Sequence, residues 1–379
     1  MRLLLALPLL ALLHVPAPAA EYRVERPGVV LVDAAERMRD LRAAGETGRR
    51  WCGADQRPAL VQPIARLVET EGYGGDNTAE PFSLAVMRLA AAYLATGDRA
   101  VAGKLGTQLA TWAEAGALLR TRDTDDASTL FAIKRLLLPS IAAYSIVRHE
   151  LPPERSAVIR DWLGRLVVLV DRDFSEGSVA DRNNHRYLRD AVNMAWGALT
   201  GDDAAYRKGI ERYAEALAEM RPDGSLPLET RRGARATWYM RQSAATLVAM
   251  AEIAAAQGHD LYALAPNGRS LHDMVDYLAG AIAKPATILR YASENYIPGP
   301  SRNWRVQDLG FLRRRGNHRH YMAWIEPYAL RFGDRPAAVA LRAASAATTQ
   351  RPLLDEFSGG NATCFWAPLP SGTAAAPAP

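Results

Sequence analysis

Cysteine is scarce in this sequence. Its 379 residues include only Cys52 and Cys364, which excludes a disulfide-dense scaffold and leaves apolar packing to build the core. The two could close one disulfide between the ends of the chain or stay as free thiols, and the sequence leaves both open. No group of His and Cys has zinc-ligand spacing, so neither a metal site of that kind nor any cofactor is expected. Strand signals are also scarce. No repeat of fixed period occurs, which argues against an array of TPR or HEAT type. Beyond the N-terminus, no segment shows the uninterrupted apolar length of a membrane helix, and no membrane partner is expected.

Met1-Arg2, the apolar stretch Leu3 to Val15 and the small-residue run Pro16-Ala17-Pro18-Ala19-Ala20 read together as a secretory signal peptide over 1–20. The mature protein is then periplasmic or secreted, with a single domain over 21–367 and a disordered Pro- and Ala-rich tail over 368–379. The formal net charge is +5. Arg231, Arg232, Arg235 and Arg241 fall in one short stretch, and Arg313, Arg314, Arg315, His318, Arg319 and His320 in another. Such stretches either form a solvated basic face or attract a polyanion. Export counts against nucleic acid and favours an anionic polysaccharide, bound by a protein expected to act as a monomer.

Apolar residues recur at three- and four-residue spacing, which predicts helices over 80–96, 99–117, 126–148, 154–172, 184–200, 202–220, 236–257, 269–283 and 320–346, the last broken near Gly333. Thr96-Gly97-Asp98 and Thr200-Gly201-Asp202 are short stops between neighbouring helices. Short breaks of this kind favour antiparallel helix hairpins, hence an all-α toroid or solenoid. Glu21 to Gly75 reads as loop-rich.

Two segments carry chemistry. Asp181-Arg182-Asn183-Asn184-His185 opens a helix. Leu226-Pro227-Leu228-Glu229, followed by Arg231, Arg232, Arg235 and Tyr239, runs from a turn into another. Cleaving a uronic-acid polymer by β-elimination requires loss of the weakly acidic C5 proton, so the C6 carboxylate must be neutralised; Arg and an amide do this by charge and hydrogen bonds. A base removes the proton and an acid protonates the departing C4 oxygen, tasks within reach of Tyr and His. Asn184, His185, Arg232 and Tyr239 are a sufficient catalytic set without a metal. Each also has a plain structural reading: Asn184 as a helix cap, His185 as a core histidine, the arginines as a solvated face, and Tyr239 beside Trp238 as packing. A hydrolase would need a carboxylate pair across the bond, and its candidates, Asp125, Asp126 and Glu229, do not sit beside this centre.

The chain resembles the alginate lyases of polysaccharide lyase family five from about Gly72 to Phe365. The matching pieces are Asn183-Asn184-His185-x-Tyr187, Asp223-Gly224-Ser225-Leu226-Pro227-Leu228-Glu229, Arg231-Arg232-x-x-Arg235-Ala236-x-x-Tyr239, Ala323-Trp324-Ile325-Glu326-Pro327-Tyr328 and Phe357-Ser358-Gly359-Gly360, with Trp112-Ala113-x-Ala115-Gly116-Ala117-Leu118 upstream. His185 and Tyr239 lie 54 positions apart, and Arg232 seven before Tyr239, as the family pattern requires. The resemblance implies an incomplete (α/α) toroid with a deep cleft. Asn184 and Arg232 would neutralise the carboxylate. Tyr239 would be the acid, and for mannuronate also the base. His185 would be the base for the opposite C5 configuration, or would hold the carboxylate environment together. Tyr73, in the segment Glu71 to Asn77, is the candidate lid residue; Arg235, Arg241, Trp112 and Lys134 are the other expected substrate-binding residues. Met240-Arg241-Gln242 and the cluster Arg313 to Arg315 depart from the family pattern, so a shifted specificity, towards polyglucuronate or hyaluronan, is the first alternative. A catalytically weak polysaccharide-binding protein of a secretion apparatus is the second.

Overall fold

A computed structural model of the chain describes residues 22–67, 78–121, 127–172, 178–296, 303–315, 319–346 and 350–368. The expected signal peptide, Tyr73 and its loop, Asp125, Asp126, His318 and the tail after Pro368 lie outside these residues.

The long helices are α3 (Glu80–Thr96), α4 (Arg99–Glu114), α5 (Ala127–Val147), α6 (Pro153–Asp171), α7 (Asn184–Thr200), α8 (Asp203–Ala218), α10 (Ala236–Ala256) and α11 (Leu271–Ala283). Shorter ones are α1 (Ala34–Ala43), α2 (Gly45–Cys52), α9 (Pro227–Thr230), α12 (Ala286–Ala292), α13 (Ile325–Phe332), α14 (Pro336–Ala346) and α15 (Ala362–Trp366). The two-residue strands β1 (Leu354–Asp355) and β2 (Gly360–Asn361) pair antiparallel, Leu354 opposite Asn361.

The hairpins form for local reasons. Gly201 closes α7 at φ 80°, a conformation that favours glycine, and Asp202 then caps α8 by accepting from the Ala204 and Ala205 amides. Gly97 and Asp98 do the same between α3 and α4. At Gly197 a Cβ would lie 2.4 Å from the Tyr206 amide nitrogen, so α7 and α8 approach closely enough only with glycine there. α3, α5, α7 and α10 pack side by side in that order as an inner layer, with α4, α6, α8 and α11 against them outside. Between α10 and α3 the ring is completed by the 3-10 turn Glu356–Ser358 and β2. This is an incomplete (α/α) toroid.

Three expectations need correction. The region expected to be loop-rich holds α1 and α2. The first is a polar helix that buries only Leu41 and is started by Asp33, so apolar periodicity does not reveal it. Residues 320–324 form turns rather than helix, and α13 starts at Ile325. Thr129–Glu150 is apolar and long enough to cross a membrane by length and composition, although 94% of its apolar window is buried inside the fold. It lies in the inner layer and is buried along most of its length, which explains its lack of a polar face.

Candidate active site

The N-terminus of α7 carries the first two candidates. Asn183, not Asn184, is the cap: its side chain accepts the His185 amide at 2.9 Å. Asn184 is the first helical residue, and its own side chain is left for other work. That amide is buried, and neither Oδ1 nor Nδ2 has a hydrogen-bond partner among the described residues. Desolvating such a group without a partner costs about 1–3 kcal/mol, so an unpaired buried amide needs a functional explanation.

Arg232 and Tyr239 come from the segment leading into α10. Pro227 starts α9, a 3-10 turn at Gly233–Arg235 follows, and α10 begins at Ala236, placing Tyr239 in its first turn. The Arg232 guanidinium lies 3.7 Å from the Tyr239 ring centroid, a cation–π contact. Its Nε and Nη1 are buried without hydrogen-bond partners among the described residues. The four side chains are enclosed, with exposures of 1% (Asn184), 4% (His185), 5% (Arg232) and 4% (Tyr239).

His185 sits against Phe131, ring centroids 4.4 Å apart. Burial, followed by the charges of Lys134 and Arg232, holds its pKa well below the ordinary histidine value. The imidazole is therefore neutral near pH 7. Lys134, fully buried on α5, joins the candidates through this proximity.

Glu229 was expected away from this centre and lies in it. Its Oε1 accepts the Asn184 backbone amide at 2.8 Å, and the residue is fully buried. Burial pushes its carboxyl up to about 7, against the opposing pull of Arg232, the Asn184 amide and Ser243, and with a smaller push from Glu219. The pairing spans 45 positions; an acidic residue three before Arg232 was the only sequence signal for it. Its enclosure behind Asn184 also argues against use as a hydrolase carboxylate, which must face the bond it cleaves.

The remaining candidates separate. Trp112 is a core residue: it is fully buried, stacks on Phe82 at 3.9 Å and donates from Nε1 to the Val61 carbonyl at 2.8 Å. That packing leaves no face for a sugar. Arg235 is half-buried and pairs with Asp308 at 3.5 Å. Arg241 is fully buried among Tyr321, Trp238, Phe311 and Phe357, its guanidinium carbon 4.5–5.7 Å from the four ring centroids. None of its three nitrogens has a hydrogen-bond partner among the described residues. Burial brings its pKa down to about 10, so the cation persists at neutral pH. Arg319, read as part of a basic patch, is fully buried and ion-paired with Glu80 and with Glu356 at 2.7 Å; Arg135 pairs with the same Glu356. It holds the layers together instead of meeting solvent. Among the described residues, no group of three or more His, Cys, Asp or Glu is placed to hold a metal ion.

The sequence profile of the alginate lyases matches residues 51–288. The chain belongs to the alginate lyase family. A polysaccharide lyase of Stenotrophomonas maltophilia is 31% identical over 224 residues, 58% of this chain and 66% of that relative. An alginate lyase of Azotobacter vinelandii is 26% identical over 262 residues, 66% of this chain and 64% of that relative. The matched region thus falls just short of two thirds of each relative's length. Among solved structures, a histidine-to-alanine variant of alginate lyase A1-III complexed with tetrasaccharide superposes with a TM-score of 0.74 at 25% identity, covering 94% of this chain and 99% of that one. Alginate lyase A1-III from Sphingomonas species A1 gives 0.75 at 24% identity over 93% and 99%.

Proposed function

We propose that this member of the alginate lyase family is a periplasmic or secreted lyase that cleaves a uronic-acid polymer, alginate or polymannuronate first, by β-elimination. The observation that carries the reading is the set of unpaired buried donors on Asn184 and Arg232 beside Tyr239. A uronate carboxylate entering there meets an amide and a guanidinium already desolvated, where their hydrogen bonds are worth more than in water.

The C6 carboxylate accepts from Asn184 and Arg232, which stabilises the charge that develops when C5 loses its proton. For mannuronate Tyr239 removes that proton as phenolate, a form that an adjacent cation favours. For the opposite configuration at C5 the neutral His185 takes it. The electron pair left on C5 forms the C4–C5 double bond as the C4–O bond breaks. Tyr239 then delivers a proton to the departing oxygen. The products are a new reducing end and an oligosaccharide with a 4,5-unsaturated uronate at its non-reducing end. Lys134 and Arg235 supply further positive charge along the polymer's path.

A second reading, a preference for polyglucuronate or hyaluronan, rests on the departures from the family pattern at Met240-Arg241-Gln242 and at Arg313 to Arg315. One experiment separates these readings. The purified protein is incubated with alginate, polymannuronate, polyguluronate, polyglucuronate and hyaluronan, and the ultraviolet absorbance of the conjugated double bond is followed. The fastest rise is expected with polymannuronate-rich polymers. A faster rise with polyglucuronate or hyaluronan selects the second reading, and no rise with any polymer overturns the lyase assignment.

A further inference from the structure

We infer that Glu229 is a positioning residue for the elimination: its carboxyl oxygen clamps the first amide of α7 and so fixes the Asn184 side chain relative to Arg232. The inference rests on the lyase reading for its consequence and on geometry alone for the clamp. Asn184 and Arg232 must grip one carboxylate together, yet they belong to elements far apart in sequence. Asn184 heads α7, while Arg232 follows α9 by two residues. The Asn184 N–H to Glu229 Oε1 bond of 2.8 Å ties these two pieces directly. Asn183 already uses its own side chain on the His185 amide, so the N-terminal turn of α7 has two amides held by two different side chains. The cap residue orients His185, and Glu229 orients Asn184.

The position of Glu229 suits an anchor. It is fully buried. Ser243 of α10 and Arg232 face it with favourable interactions, and Glu219 at the end of α8 with an unfavourable one. A carboxyl oxygen accepts a hydrogen bond in either protonation state, so the clamp works whether or not the group is ionised. What it requires is an acceptor at the correct reach. That requirement distinguishes it from a charge effect and from simple packing.

The test is a series at this one position. E229Q keeps an acceptor oxygen at the same reach and removes the charge. E229D keeps the charge and withdraws the oxygen by one methylene. E229A removes both. The readouts are turnover of alginate with kcat and KM separated, and hydrogen exchange of the peptide spanning residues 181–190. We expect E229D and E229A to lose roughly 10- to 100-fold in kcat/KM, the scale of a misplaced catalytic contact, with kcat and KM both affected because the carboxylate is held before and during reaction. Both variants should show faster exchange at the start of α7. E229Q should restore most of the turnover and the slow exchange. Should E229A not fold, the contrast of E229D with E229Q decides alone. An active, protected E229D overturns the clamp, as does an E229Q as impaired and as exposed as E229A. If the wild-type protein has no lyase activity, the exchange readout still tests the clamp, and the failure belongs to the functional reading.

Discussion

At the scale of single residues, Tyr239 has the most direct consequence. Tyr239→Phe keeps the ring beneath the Arg232 guanidinium and deletes only the hydroxyl. If the phenol moves protons, turnover should fall by roughly 10² to 10⁴, the usual contribution of a general acid or base, while the circular dichroism spectrum and polymer binding are retained. A folded variant with near wild-type turnover would remove Tyr239 from the mechanism. Glu229 makes a different prediction, for stability. Its folded-state carboxyl sits at about 7, above its ordinary value of 4.5, mainly because it is buried. The folded state then holds this proton more tightly than the unfolded one, so its stabilising contribution is complete below the unfolded value and is lost as pH rises through about 7. The melting temperature of the wild type should therefore decline from pH 5 to pH 8.5 more than that of E229Q, measured by calorimetry on both; equal declines would show that Glu229 does not titrate in this range. Residue types, together with the resemblance to the alginate lyases, brought Asn184, His185, Arg232 and Tyr239 forward as candidates, and the fold encloses all four, with Arg232 over the Tyr239 ring. The pairing of Glu229 with Asn184 was not legible in the sequence, because it depends on α9 meeting α7 across 45 positions. Trp112 misled for a related reason: a motif gives an aromatic residue but not the direction of its ring.

At the scale of elements, α7 shows how a cap serves a site. The Asn183 side chain satisfies one of the amides that a helix leaves unpaired at its N-terminus, and the next two residues are Asn184 and His185. Asn183→Ala should cost about 1 kcal/mol of stability, as loss of an N-cap generally does. Because the first turn carries two site residues, turnover measured well below the melting temperature should fall as well. A stability loss with unchanged turnover would mean that the Glu229 contact alone holds this turn. The long helices were legible because apolar periodicity and Gly-Asp stops agree, and α7 spans the residues that the pattern predicts. The polar α1 and the turns at 320–324 were not, since their conformation is set by contacts with the rest of the chain. The buried ion pairs of Arg319 and Arg135 with Glu356 were equally hidden; a sequence shows charges, but burial and pairing come from the layers that enclose them.

At the scale of the whole molecule, the two ends of the chain close over the helical layers. The Val24 amide donates to Asp203 at the start of α8, and Gln257, after α10, holds the Arg26 amide and the Val29 carbonyl. At the other end, Arg37 of α1 donates to the Cys364 carbonyl and Asn361 to the Trp51 carbonyl, so α1 and α2 dock on α15. Cys52 and Cys364 are joined there in a disulfide across 312 positions, settling the alternative that composition left open. A crosslink over so long a loop restricts the unfolded chain strongly; the chain-entropy account gives on the order of 5 kcal/mol, less where the unfolded state keeps residual structure. The joined elements, α2 and α15, lie outside the segments that hold Asn184, Arg232 and Tyr239. The double variant C52S/C364S should therefore lower the denaturant midpoint markedly while leaving turnover close to wild type at temperatures where it remains folded. A variant with an unchanged midpoint would show that the hydrogen bonds of Arg37 and Asn361 suffice to hold the ends. A fully folded variant that loses turnover would show that closure of the ends reaches the candidate site through β2 and the turn at Glu356, the elements that lie between α10 and α3.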